Sequence, residues 1–107
     1  MGKVVPLPLG KIAALRLLRD AAADDSQVNI VAQLHEGPWR HVIDYRQIML
    51  CLRHGSVVRN PVRDDLGNIV FVLERFSAGV TVQITAVLVG QTGTDRSVVV
   101  TEFSTEE

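Results

Sequence analysis

Disulfides are excluded at the outset, because Cys51 is the only cysteine in 107 residues, and no paired cysteine spacing suited to zinc exists. A reducing compartment is the expected setting. Aromatic side chains are scarce too: one Trp, one Tyr and three Phe offer few surfaces on which unpaired bases would stack. Net charge is nearly absent, with 11 Lys and Arg against 12 Asp and Glu and a formal charge of −1. No global field therefore draws the chain to nucleic acid or to an acidic membrane, and any such contact needs a local patch. Long apolar runs are missing as well. Arg16 and Arg19 interrupt the N-terminal stretch before it reaches secretory length, and Pro6 stands where a myristoylation signal needs Ser or Thr. With no stretch approaching a membrane span, a cytoplasmic location without a membrane partner is expected.

What is present reads as one folded domain over residues 1–107, with residues 1–9 and 104–107 as loose ends. The chain is 47% apolar and 21% charged, a profile far from that of disordered chains. From Lys11 to Ala22, Ala13, Ala14, Leu15, Leu17, Leu18, Ala21 and Ala22 fall on one broad helical face, with Arg16, Arg19 and Asp20 opposite and only Ile12 misplaced. "VNIVAQL", residues 28–34, is β-branched and suits a short extra edge strand. Gly37-Pro38 ends it. Asp44 then suits an N-cap, Tyr45, Ile48, Met49 and Leu52 recur at helical spacing, and Gly55 supplies the stop.

After Gly55 the period changes to two. The runs "SVVRNPV", "NIVFVLERF", "VTVQITAVLV" and "RSVVVTEF" are joined by short glycine-containing connections, which force antiparallel neighbours. The expectation is an α+β fold: two N-terminal helices packed on a four-stranded antiparallel β-meander, with Pro61 placing the first run near an edge.

These elements, together with "IDYRQIMLCLRHGSVVRNPVRDDLGNIVFVLERFSAG" and the closing "VVVTEF", resemble the bacterial family labelled domain of unknown function 4258. The similarity runs from "PLPLGKIAALRLLRDAAADDSQV" to Phe103. It rests on Ile43, Ile48, Leu52, Gly55, Gly67, Asn68, Glu74, Arg75, Gly79 and Thr101 standing where the family has similar residues. That family is similar in its helix-then-sheet plan to the fold shared by barnase and RelE-type toxins, many of which cleave RNA without a metal. Its most telling motif, His-Ala-x-x-Arg-Met-x-x-Arg-x-Ile, falls on "QLHEGPWRHVI". The family's His meets Gln33, its first Arg Gly37, its Met Pro38 and its second Arg His41, so every polar position has changed type. No site carries over there.

The altered stretch still holds groups of the types that metal-free RNA cleavage requires. His35 and His41 suit the acid and base roles, and Arg40 suits charge growing on a phosphate. The competing reading is a polar joint between two pieces of the domain, which explains the same letters. Between Arg40 and Arg63 five arginines face Asp44 alone, a local +4. Arg46 and Arg53, seven apart on one helix flank, are the phosphate-facing candidates. RelE-like folds are similar in gripping RNA from the open sheet face, which adds Arg75. A solvated helix flank is the plainer account of these arginines. Cys51 and His54 stand three apart, but Cys51 borders the apolar stripe and reads as a core thiol.

No cofactor or metal is expected, since His35, Glu36 and His41 match no zinc signature and Asp64 and Asp65 suit a turn. The leading expectation is a non-catalytic binding or assembly module: one that engages RNA weakly through the arginine flank, pairs edge strands as a homodimer, or takes a cognate protein partner. The alternative is an active RelE-like ribonuclease using His35, His41 and arginines.

Overall fold

A computed structural model of the chain describes residues 5–6, 10–31, 45–77, 79–90 and 96–106. Among them stand two helices, α1 (Lys11–Ala22) and α2 (Tyr45–His54), and a mixed sheet. Its strands are β1 (Val5–Pro6), β2 (Val28–Ile30), β3 (Ser56–Val57), β4 (Val62–Arg63), β5 (Ile69–Ser77), β6 (Val80–Val89) and β7 (Ser97–Glu106). The fold class is α+β, and the sheet order is β1-β4-β5-β6-β7-β2 with β3 also pairing β5.

The strand expected over residues 28–34 is present as Val28–Ile30 and sits at the sheet edge. It runs parallel to β7, with Val28 opposite Val98 and Ile30 opposite Val100, which makes the sheet mixed. Residues 31–96 separate the two strands, so no short connection constrains their direction. The run expected over residues 56–62 is broken in two. Ser56–Val57 pairs with Glu74 and Leu73, and Val62–Arg63 pairs with Val70 and Ile69. Pro61 lies in the gap, where it is not asked for the N–H it lacks. β4 lies next to the edge, with only β1 pairing beyond it.

One face of the sheet carries the core. Ile69, Phe71 and Leu73 of β5, Val82, Ile84, Ala86 and Leu88 of β6, and Val98 and Val100 of β7 are buried. They form one cluster with Ala14, Leu18, Ala21 and Ala22 of α1 and Ile48, Met49, Cys51 and Leu52 of α2. The two-residue alternation of the strands and the three-to-four spacing of the helices thus meet in a single layer. A bulge between Thr85 and Ala86 sets them against Glu102 and Val100, leaving Thr101 as the extra residue. Beyond it, Phe103 pairs with Ile84 and packs on the core.

Two details differ from the sequence reading, and a third stands where expected for another reason. Tyr45, assigned to the apolar stripe of α2, is 50% exposed at the first residue of that helix. Arg19, assigned to the solvent face of α1, is half-buried against the end of α2. Gly55 ends α2 for want of space: a Cβ there would lie 2.5 Å from the Cys51 carbonyl oxygen and 3.1 Å from both Cys51 Sγ and the Glu74 carbonyl oxygen. The left-handed backbone that only glycine adopts easily occurs instead in the β4–β5 turn at Gly67, φ 85°.

Candidate functional site

A helix leaves its last four carbonyls without intrahelical donors, and cations near that end are stabilised by the helix dipole. The two helices of this chain satisfy one another. Arg19, in the last turn of α1, donates from Nη2 to the Gly55 carbonyl at 2.5 Å, just past α2. Arg53, in the last turn of α2, donates from Nε to the Ala22 carbonyl at 3.1 Å and from Nη2 to the Ala23 carbonyl at 3.5 Å, at the end of α1. Arg53 Nη2 also pairs with the Asp25 carboxylate. The result is a reciprocal arginine clasp, with each helix closing the other's C-terminus.

This clasp decides the fate of the expected phosphate flank. Arg53 has its guanidinium committed to α1 and Asp25, whereas Arg46, the second residue of α2, is exposed. Arg75 is half-buried at the far end of the helix-side row of β5, near enough to the Cys51 thiol to bear on it. The structure therefore does not gather Arg46, Arg53 and Arg75 as three equivalent free cations. His35, Arg40 and His41 lie outside the described residues.

Cys51 is fully buried, and its Sγ lies 3.7 Å from the Val82 carbonyl as a weak donor. Burial pushes its thiol up to about 12, against the pull of the Arg75 guanidinium and with help from Glu74. A thiol so placed stays protonated at neutral pH and is no nucleophile. His54, the last residue of α2, is exposed. Asp64 is held by the β4–β5 turn, where its Oδ1 accepts from the Leu66 and Asn68 backbone N–H groups, both at 2.9 Å. Among the described residues no group of three His, Cys, Asp or Glu is placed to hold a metal ion. No helix among them is long and apolar enough to cross a membrane.

Two surface features remain. A shallow basin of about 240 Å³ runs beside α1, lined by Ile12, Leu15, Arg16 and Arg19. The larger feature is the sheet face turned away from both helices. The pairing register aligns Val62 with Val70, Val70 with Val87 and Val87 with Val99, a row of four valines crossing β4, β5, β6 and β7. Asn29 of β2 closes the row beside Val99. By strand alternation Val72, itself buried, and half-buried Val89 flank it on the same face, and the next rows bring Thr85 beside Glu102 and then Gln83 beside Glu74. No single run in the sequence displays this row, because each strand contributes one residue to it and only the register brings them together.

No family model, no curated protein and no solved structure matches the chain.

Proposed function

We propose that this chain is a non-catalytic binding or assembly module resembling the domain of unknown function 4258 family, with the family's His/Arg motif altered. The valine row on the sheet face opposite the helices carries this reading, since a half-buried apolar stripe four strands wide is a surface for contact rather than for chemistry. In family terms the core is two helices roofing an antiparallel meander of β4 to β7, with β1, β2 and β3 as additions. The commitment of Arg53 to α1 supports the same reading, because it removes one cation from the expected phosphate flank.

Weak RNA engagement then falls to Arg46, because Arg75 stands on the helix side of the sheet rather than its open face, and is salt-sensitive and sequence-independent. Incubating purified protein with RNA in EDTA, alongside His35→Ala and His41→Ala, tests the reading. RNA intact in every sample is the expected result. Cleavage by the wild type that either substitution abolishes would establish a metal-independent ribonuclease instead.

A further inference from the structure

We propose that the sheet face opposite the helices is the interface of a homodimer in which two copies stack sheet on sheet through the half-buried row Val62, Val70, Val87 and Val99. The proposal deepens the assembly reading and rests on it. The outer two valines are three strand spacings apart, about 14 Å. One helix is about 10–12 Å across with its side chains and, laid along the strands, would leave part of the row in water. A second sheet covers the whole row at once, because two sheet faces pack about 10 Å apart with their β-branched side chains interdigitated.

The area is sufficient. The strands β5, β6 and β7 run 9, 10 and 10 residues. With the short flanking β4 and β2 they present a face of roughly 540 Å² at ordinary strand spacings. Two such faces exceed the roughly 1,000 Å² expected of a specific interface. This is a small interface, so micromolar association is the scale to test.

Charge selects the orientation. Glu102 and Glu74 both lie on one side of the valine row, at the Val72 end, while the Val89 and Ser97 side carries Asp64 alone, just past β4 and opposite Asn68. A two-fold axis along the row sets Glu102 of one copy over the Ser97 end of the other, three strands away from Asp64. An axis along the strands would stack acid on acid. The first arrangement also makes facing strands antiparallel, compatible with aligned sheet packing.

Sedimentation equilibrium at about 100 μM, well above the micromolar end for interfaces of this class, tests the proposal. The wild type is expected at twice the chain mass of 11.7 kDa. Val87→Lys, with a charge at the centre of the row, is expected at the single-chain mass. Val87→Thr keeps the β-branched shape and strand propensity, and is expected to weaken the dimer about tenfold while melting as a folded protein. A wild type that is monomeric at that concentration overturns the proposal, and so does a folded Val87→Lys that remains dimeric. Neither result touches the RNA assay in EDTA, so failure of the dimer and failure of the non-catalytic reading are separately visible.

Discussion

Replacing Arg53 by alanine removes the α2 half of the arginine clasp, and its consequences separate a structural arginine from a phosphate ligand. Three contacts are lost: the 3.1 Å bond from Nε to the Ala22 carbonyl, the longer one to Ala23, and the ion pair with Asp25. The part-buried charged hydrogen bond is worth about 1.5–3 kcal/mol. The Asp25 side chain is 64% exposed, so solvent screening reduces the pair to a few tenths of a kcal/mol. Loss of a cation from the end of α1 adds about 0.3–1 kcal/mol in the same direction. A net destabilisation of about 2 kcal/mol follows, enough to lower the melting temperature of a domain this size by roughly 8 °C or more. Urea denaturation of the wild type, Arg53→Ala and Arg53→Lys measures it. Lysine carries the charge but not the fork that serves two carbonyls and a carboxylate together, so it should recover only part of the loss. RNA affinity of the folded fraction should be unchanged. A denaturation midpoint unmoved within error, combined with weakened RNA binding, would refute the structural assignment and return Arg53 to the phosphate flank.

Other consequences are open to direct measurement. Gly55→Ala places a Cβ against the Cys51 backbone oxygen at 2.5 Å and should cost about 1–3 kcal/mol by urea titration, whereas Gly10→Ala, with open space around it, should cost far less. Phe71→Ala empties the largest fully buried site and should cost about 3–5 kcal/mol, read as a lowered denaturation midpoint at constant slope. Cys51 should resist iodoacetamide in native buffer and react once urea unfolds the chain. Its thiol is raised from 9.0 to about 12, so the unfolded state ionises first as pH rises. Between those values the folded state holds the extra proton, and stability should fall with increasing pH through that window. Cys51→Ser should flatten that dependence, because its hydroxyl does not titrate there. Arg46→Ala should reduce RNA binding by a similar factor across unrelated sequences and lower its salt slope by about one.

Local pattern carried the helices and the alternation of the strands well. The Lys11–Ala22 helix follows from its apolar arc and the Asp24 and Asp25 that end it, and Val82, Ile84, Ala86 and Leu88 are buried as their alternation requires. Long-range pairing was not legible. Nothing in "VNI" specifies a parallel partner some seventy residues downstream, and nothing in Val5–Pro6 points to β4. The arginine clasp was not legible for a related reason. Helical spacing placed Arg19 and Arg53 on polar faces, but a long side chain reaches past its own face to a neighbour's carbonyls, and the α1–α2 crossing that supplies them is a tertiary fact. The valine row was hidden most completely, since it exists only across strands. Its one trace in the sequence is the valine at an outward-facing position in each of four runs.

The claim on which the account turns is that contact is made by the sheet face opposite the helices. An isotope-filtered NOE spectrum on an equimolar mixture of labelled and unlabelled protein addresses it most directly. Cross-peaks between methyl groups of Val70, Val87 and Val99 on different copies are the predicted result. Intermolecular peaks confined to α1, α2 or the outer edge of the sheet, or none at millimolar protein, would contradict it.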